Sequence, residues 1–504
     1  MFPRVTSTAP ARAASLDHGA CYRALRTRDA RFDGRFYTAV LTTGIFCRPV
    51  CPARTPRSEH CAFYPSAAAA QAAGFRPCLR CRPELAPGVA GWRGTANTVA
   101  RALALIADGA WGDADDVEEL AARVGVGARH LRRLFDRHVG APPVAVAQAQ
   151  RVLLAKRLLA DTALPMSDVA AAAGFGSLRR FNALLRRTFG RPPSSLRRRG
   201  GPAPATARGV ELRLPHTTPY AWPELLAFLA ARAIPGVEHV DGGVYRRTLT
   251  LGAARAVVAV RAAPAGDHLV AALRLSSVSA VPAAVGALRR LFDLEADAAA
   301  IDAHLARDPL LAPLVRRRPG LRVPGAADPF ELAVRAILGQ QISVAAARTL
   351  AGRIVEAHGA RVPEAAEGEP PLAFPGPAAL AEADLSRVGL PRARAEAVRA
   401  LARAVADHPA LLEPGPDLAT TAARLAELPG VGAWTAQVVA MRALREPDAF
   451  PSSDLGLLRA MSRAGPSLRP AALAERAEAW RPWRAYAAIH LWTAAPPVPR
   501  GGTR

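Results

Sequence analysis

Four of the six cysteines in this chain stand as Cys47-x3-Cys51 and, after 26 intervening residues, Cys78-x2-Cys81. Two close thiol pairs joined by one loop have the ligand spacing of a tetrahedral zinc site, one ion in all. Four thiolates around a dication leave a net charge of about −2, and the metal keeps each sulfur deprotonated at neutral pH. A thiolate is also a nucleophile. By spacing alone the commoner reading is a purely structural zinc. A second set of residues lies far downstream. Leu428-Pro429-Gly430-Val431-Gly432 is followed, 22 residues after Gly432, by Asp454. A turn with two glycines lets backbone N–H groups approach a phosphate, helped by the N-terminus of the next helix. The turn pattern also occurs in DNA binders that are not enzymes. Asp454 stands in Ser-Ser-Asp before an apolar run, which is helix-start chemistry, and a capping role does not exclude a catalytic one.

These residues must be held by several elements. At 504 residues, half of them hydrophobic, the chain has material for roughly three domains. Its net charge of +24 and pI near 11.3 point to nucleic acid or an anionic surface as partner. Of the 66 basic residues only Lys156 is lysine, the mark of a GC-rich genome. No apolar stretch reads as a membrane span, and the first 25 residues lack the apolar core of a secretory signal. All six cysteines lie within the first 81 residues, which argues for a metal site in a reducing cytosol and against a disulfide framework. Cys21 and Cys61 fall outside the ligand spacing and read as packed thiols.

Pro83 to Gly94 reads as a first linker and Arg197 to Gly209 as a second. Between them the pattern is helical and holds an internal repeat. Val117 to Pro143 and Met166 to Pro193 each carry an apolar helix, a Gly-centred turn, an Arg-rich helix and Gly-x-Pro-Pro. Two short helices around a glycine turn are helix-turn-helix grammar. After the second linker, four strand-like runs between Val210 and Ser276, with a helix at Pro223 to Arg232, form a small α+β segment reaching about Glu295. The remainder is helical.

Several of these words resemble known families. TTGIFCRPVCPAR (42–54) and AAGFRPCLRCRPE (72–84) resemble the N-terminal zinc domain of the Ada methylation-response proteins. The resemblance implies that Cys47, as well as being a ligand, accepts a methyl group from a DNA phosphotriester, with Cys51, Cys78 and Cys81 as the other ligands. The repeat, with its joining helix from Val146 to Leu159, resembles the AraC-type DNA-binding domain. Its second helices would enter successive major grooves with Arg129, His130, Arg132 and Arg133 on one and Ser177, Arg179, Arg180 and Asn182 on the other. Singly, each arginine is more often a phosphate contact than a base reader.

From about Glu211 to Thr493 the chain resembles the helix-hairpin-helix DNA glycosylases, and among them the AlkA type that excises 3-methyladenine. LLAFLAARA (225–233), RPGLRVPGAADPFELAVRAILGQQISVAAA (318–347), LPGVGAWTA (428–436) and WRPWRAYAAIHLW (480–492) carry it. The resemblance implies a flipped base held by Phe228, Trp434 and Trp492. Asp454 would stabilise the cationic sugar, Gln341 would fill the gap in the duplex, and Gly430 and Gly432 would sit at the DNA backbone. A structural monovalent cation at the hairpin is also expected. Related lyases carry lysine where this chain has Trp434, so the enzyme is expected to be monofunctional. Three pocket positions that are tyrosine in the best-known bacterial enzyme are Val438, Leu455 and Thr493 here. The other methyl-acceptor module of Ada proteins, marked by Pro-Cys-His-Arg, is absent.

The expected architecture is multidomain α+β. A zinc-binding methyl-acceptor domain occupies 1–90 and an all-α double helix-turn-helix domain 95–199. After a linker at 200–209 come an α+β subdomain at 210–295 and an all-α glycosylase domain at 296–495. The expected function is alkylpurine excision fused to a methylation-responsive transcription activator, with no organic cofactor. Its expected partners are duplex DNA and RNA polymerase, with no membrane, and the protein is expected to act as a monomer in the cytoplasm at the nucleoid. The alternative is a regulator whose glycosylase fold only holds DNA.

Overall fold

The computed structural model describes residues 16–86, 96–107, 116–197, 209–415, 417–462 and 468–494. Most of both expected linkers lies outside the described residues. The exceptions are Pro83 to Ala86 of the first and the end residues Arg197 and Gly209 of the second. Pro83–Leu85 forms a 3-10 turn with Pro83 buried, where the sequence suggested the start of a linker. Pro-rich composition marked the turn, but the buried ion pair that Glu84 makes there depends on residues far along the chain.

The chain divides into two compact units. The first contains residues 1–217, 249–289 and 294–296, the second 218–248, 290–293 and 297–504. In the first unit a small sheet carries strands β1 (Tyr37–Val40), β2 (Ile45–Cys47), β3 (Cys61–Tyr64) and β4 (Arg76–Pro77), in the order 3-1-2-4. β1 pairs antiparallel with β2 and β3, and β2 pairs parallel with β4, Phe46 opposite Pro77. Phe46 and Ala39 fill the core under this sheet together with Ala68–Ala70 of the helix Ala67–Ala72. Cys21 packs with Ala24 and Phe36, and burial pushes its thiol pKa up to about 11. Cys61 gives its Sγ–H to the Arg57 carbonyl.

Both helix-turn-helix copies are present. Val117–Arg123 and Ala128–His138 flank a turn at Gly125 (φ +75°), and Met166–Ala172 and Leu178–Phe189 flank one at Gly174 (φ +77°). Glycine serves at both because the turn needs the left-handed region. The helix Pro143–Asp161 joins the copies and is longer at both ends than expected. Further strands follow: β5 (Gly209–Pro215), β6 (Glu238–Asp241), β7 (Val244–Leu251), β8 (Ala254–Ala262) and β9 (His268–Leu275), and a short antiparallel pair, β10 (Ala360–Arg361) and β11 (Leu372–Ala373), interrupts the segment expected to be all-α. In the first unit β9 pairs antiparallel with both β5 and β8.

In the second unit β6, a strand not expected from the sequence, pairs antiparallel with β7. Around it lies a helical body whose central helix is Pro329–Leu338, apolar on nearly every face. The polar residues of that helix are used as anchors. Glu331 accepts from Arg247 at 2.6 Å, and Arg335 reaches both Glu238 (2.8 Å) and the Arg232 carbonyl (2.5 Å). Each buried charge in this set has an opposite partner, the condition under which such groups are tolerated inside a protein.

Candidate functional site

The four expected ligands converge. The sulfurs of Cys47, Cys51, Cys78 and Cys81 all lie within 4.8 Å of one another. Four sulfurs at zinc-thiolate distance from one ion would stand roughly 3.8 Å apart, so the quartet fits a tetrahedral ion. The sheet explains the convergence. Cys47 ends β2, and Cys78, just after β4, donates its N–H to the Phe46 carbonyl at 2.9 Å. Cys51 turns back on the first pair through its N–H to the Arg48 carbonyl, 3.1 Å.

The four sulfurs are not equivalent. Backbone N–H groups are directed at Cys81 Sγ from Arg48 (3.4 Å) and at Cys78 Sγ from Arg80 (3.4 Å). Among the described residues none is directed at Cys47. The other three cysteines are buried, and Cys47 is half-exposed. An N–H bond to a thiolate draws on the lone pair that would attack an electrophile. Cys47 is thus the least buried residue of the four, and its sulfur carries no backbone N–H among the described residues. Arg48 is fixed beside it by a buried ion pair with Asp33 and a bond to the Cys81 carbonyl at 3.3 Å.

The two Arg-rich helices bury Leu131, Leu134 and Phe135, and Phe181, Leu185 and Phe189. Arg129, His130, Arg132, Arg133, Arg179 and Arg180 are all exposed. Arg132 pairs with Glu118 at 3.1 Å, and Arg133 meets the His130 ring at 2.8 Å. Ser177 spends its hydroxyl oxygen capping the second helix, accepting from the Arg180 N–H at 3.2 Å, so its part is local. Asn182 is half-buried. If these faces meet DNA, each arginine set against a phosphate releases a counterion, and affinity falls steeply with salt. Arg132→Ala or Arg180→Ala should weaken duplex binding by about 1–3 kcal/mol if that residue reads a base. Titrations at several salt concentrations check both. A salt-independent affinity would remove these helices from the groove.

In the second unit Asp454 is the hub. Its Oδ2 accepts from the Trp434 indole N–H at 2.9 Å and its Oδ1 from the Trp492 indole at 2.8 Å. Oδ1 also accepts the Leu457 N–H at 3.0 Å, which caps the helix Leu455–Ser462. Capping and carboxylate positioning therefore coincide. Trp434 rides on the helix Ala433–Arg442, directly after the hairpin, and Trp492 on Arg484–Ala494.

Phe228, on the helix Trp222–Ala230, is buried with the Arg232 guanidinium 3.6 Å from its ring centroid and Arg442 at 5.0 Å. A cation of the protein's own thus already lies over that ring. Burial and the Arg335 charge push Arg232's pKa down to about 10, while the Asp454 carboxylate opposes the fall. Of the three positions without tyrosine, Val438 is buried and Leu455 is 62% exposed, while Thr493 turns its hydroxyl onto the Ile489 and His490 carbonyls.

Gly430 has φ +78°, and a β-carbon there would overlap the Ala397 methyl. Gly432 has open space around it. Gln341 is exposed and non-glycine at φ +57°, in the loop after Pro329–Leu338.

Three residues that the sequence reading passed over belong to the site. Gln340 donates to the Gly430 carbonyl (2.8 Å) and to Thr435 Oγ1 (2.9 Å), pinning the hairpin from a distant loop. Arg232 is the cation over Phe228. Gly456 is the third: a β-carbon there would stand 2.9 Å from Asp454 Oδ1 and 3.3 Å from the Trp492 ring. The glycine directly beyond Ser-Ser-Asp-Leu was the available signal for it. Gly456→Ala should displace the carboxylate from its two indoles and lower turnover roughly 10–100-fold with little loss of duplex affinity. Single-turnover rates beside binding isotherms check this.

Known protein families match the chain in four segments. Residues 20–84 match the metal binding domain of Ada, 120–199 a helix-turn-helix domain, 211–328 the AlkA N-terminal domain, and 334–485 the HhH-GPD superfamily of base excision DNA repair proteins. The chain is 36% identical over 277 residues to DNA-3-methyladenine glycosylase 2 of Escherichia coli, covering 54% of this chain and 94% of that one. It superposes on the 3-methyladenine DNA glycosylase of Archaeoglobus fulgidus with a TM-score of 0.50 at 25% identity, covering 56% of this chain and 97% of that one. The protein of Mycobacterium tuberculosis named "Probable bifunctional transcriptional activator/DNA repair enzyme AlkA" is 46% identical over 481 residues, 95% of this chain and 96% of its own. A likeness of that extent shows the family: this chain belongs to the AlkA-type bifunctional transcriptional activator/DNA repair enzymes.

Proposed function

We propose that this chain excises alkylated purines, 3-methyladenine among them, from duplex DNA as a monofunctional glycosylase, and that its N-terminal part is a methylation-responsive activator. The observation that carries the excision reading is the Asp454 carboxylate held by two indole N–H groups. The two tryptophans spend their polar edges on Asp454, which leaves their ring faces for a base. A purine alkylated on a ring nitrogen is cationic in the nucleotide and favours an aromatic face. As the glycosidic bond lengthens, positive charge grows on the sugar, and a fixed carboxylate stabilises it without reorganising. The alkylated base leaves with the bonding electrons, and water supplies the hydroxyl at C1′. The only lysine is buried against Glu84 in the first unit, so no lysine is present to form a Schiff base.

Cys47, Cys51, Cys78 and Cys81 would hold one zinc ion, which when bound keeps the thiols ionised. Cys47 Sγ then attacks the methyl carbon of a DNA methylphosphotriester. The new S–C bond replaces the C–O bond, and the phosphodiester anion leaves. The lack of a backbone N–H on Cys47 among the described residues, and its lesser burial, support this choice of sulfur. The organisation proposed is a methyl-acceptor domain at 1–90, paired helix-turn-helix copies at 95–199, an α+β subdomain at 210–295 after a short linker, and the glycosylase domain at 296–495.

The regulator acts on duplex DNA in the cytoplasmic nucleoid as a monomer that engages RNA polymerase. The basic excess and the exposed arginines support the DNA part. Among the described residues no helix is long and apolar enough to cross a membrane. A structural monovalent cation at the hairpin carbonyls belongs to the same reading; the Leu428 and Gly430 carbonyls, which accept from the Val431 N–H and the Gln340 amide, each keep a second lone pair for it. The test is release of free 3-methyladenine from methylated duplex DNA with the abasic strand left intact. A protein that binds such DNA and releases no base would leave only the regulator.

A further inference from the structure

The one lysine in 504 residues takes no part in the function above, yet it is among the most deeply buried charges of the first unit. Lys156 lies on Pro143–Asp161, the helix that joins the two helix-turn-helix copies, and is 4% exposed. Its Nζ donates to Glu84 Oε2 at 2.7 Å and to the main-chain carbonyl of Cys78 at 3.2 Å. The other Glu84 oxygen accepts from Arg82 Nε at 3.0 Å. Arg82 in turn reaches Asp161, at the end of the same joining helix, at 2.9 Å. Arg82 directly follows Cys81 and holds φ +53°, a conformation that strains a residue with a β-carbon. The Cys78–Cys81 ligand loop is therefore tied to the joining helix at both ends.

The surrounding packing tightens the tie. Ser66 donates its hydroxyl to the Val139 carbonyl at 2.7 Å, and a β-carbon on Gly140 would stand 3.2 Å from Ala69 and Pro65. The charges there do not balance. Among the described residues Lys156, Arg157 and Arg82 share Glu84 and Asp161, and the Arg289 charge also reaches Arg157. Arg157 is 6% exposed, and its Nε and Nη2 have no hydrogen-bond partner among the described residues. A buried positive surplus is costly unless an anion offsets it. The four-thiolate centre, at about −2 with its ion, is such an anion, and Lys156 touches the backbone of one of its ligands. In a chain that otherwise uses arginine throughout, a slot between a carboxylate and a carbonyl suits a compact ammonium better than a planar fork.

We propose that Lys156 is a positioning residue that couples the charge of the metal centre to the seat of the joining helix, so that methyl transfer to Cys47 resets how the two recognition helices are held. This rests on the methyl-acceptor reading above. Transfer turns one thiolate into a thioether, and the centre goes from about −2 to about −1. The positive surplus loses half of its counter-charge and the tie loosens. The joining helix then yields enough for both recognition helices to seat in the DNA. Direct relief of phosphate repulsion also raises affinity, but added salt screens that effect, whereas a buried tie is screened far less.

The experiment uses the full chain as wild type, Lys156→Met, and Lys156→Met with Glu84→Gln. Each is treated with duplex DNA carrying one methylphosphotriester, and Cys47 methylation is verified by mass spectrometry. Affinity for a separate unmodified duplex is measured before and after at about 0.1 M and about 1 M salt. In the wild type a gain of about fivefold or more should survive at high salt. Lys156→Met should take up methyl on Cys47 yet lose the salt-resistant gain. The double variant carries no stranded buried carboxylate, so its melting temperature should recover toward wild type while the gain stays lost. A merely structural lysine would instead show gain and melting temperature recovering together, which would overturn the coupling. So would a wild-type gain that vanishes entirely at high salt. Failure of wild-type Cys47 to take up methyl would sink the acceptor reading itself, and the coupling with it.

Discussion

Replacing Asp454 with asparagine should lower the single-turnover release of 3-methyladenine by a factor on the order of 10²–10³ or more. The reason is geometric as well as electrostatic. Both carboxylate oxygens accept: Oδ2 from Trp434, Oδ1 from Trp492 and the Leu457 N–H. An amide offers one acceptor and one donor. Whichever way it is turned, one indole N–H then faces an N–H, and the negative charge opposite the sugar is gone. Trp434→Phe removes one positioning hydrogen bond and leaves the charge, so it should cost less, on the order of tenfold. Duplex affinity and melting temperature should change little in either variant, which separates chemistry from folding. Near-wild-type release by Asp454→Asn would take Asp454 out of the mechanism. The same preparation should leave abasic strands intact, and cleavage that persists through controls for contaminating nucleases would contradict a monofunctional enzyme.

What could be read from the sequence follows the range of the interactions involved. The cysteine quartet, the repeated glycine turns and the hairpin are local patterns, and each stands where spacing put it. Asp454 and its two tryptophans are separated by 20 and 38 residues. Spacing could not pair them; only the family resemblance did. Gln340 was hidden by its neighbour. Of two adjacent glutamines the resemblance singled out Gln341, while the hydrogen bonds to the hairpin come from Gln340, 90 residues before Gly430. Phe228 was read as an open aromatic face, and the structure lays Arg232 over it, because a helix brings residues four apart onto one side. Glu84 shows the limit most plainly. A proline-rich stretch reads as a linker, but its carboxylate is buried by a lysine 72 residues away. Charge pairs between residues far apart in the chain leave no periodicity to detect.

Exposure of the protein to methylphosphotriester DNA should place one methyl group per chain, on Cys47, and Cys47→Ser should take up none. The four sulfurs share a cluster, so the choice among them must come from surroundings. Cys78 and Cys81 accept backbone N–H groups and, like Cys51, are buried, while among the described residues Cys47 accepts none and is only half-buried at the end of its strand. Cys47 should therefore be the first to meet an electrophile carried on a DNA backbone. Serine at Cys51, Cys78 or Cys81 should abolish uptake for a different reason, since losing a ligand loosens the metal and the sheet it closes. Zinc content distinguishes the two cases: a Cys51→Ser protein should be metal-poor and partly unfolded. Chelation of the wild type should abolish uptake as well, with loss of the structure around β2 and β4. Cys21→Ser and Cys61→Ser should take up methyl normally, because both thiols are buried away from the cluster and burial pushes the Cys21 thiol pKa up to about 11. Peptide mapping after labelling reads all of these at once. Methyl found on any cysteine other than Cys47, in protein that still holds its zinc, would leave the quartet a structural centre.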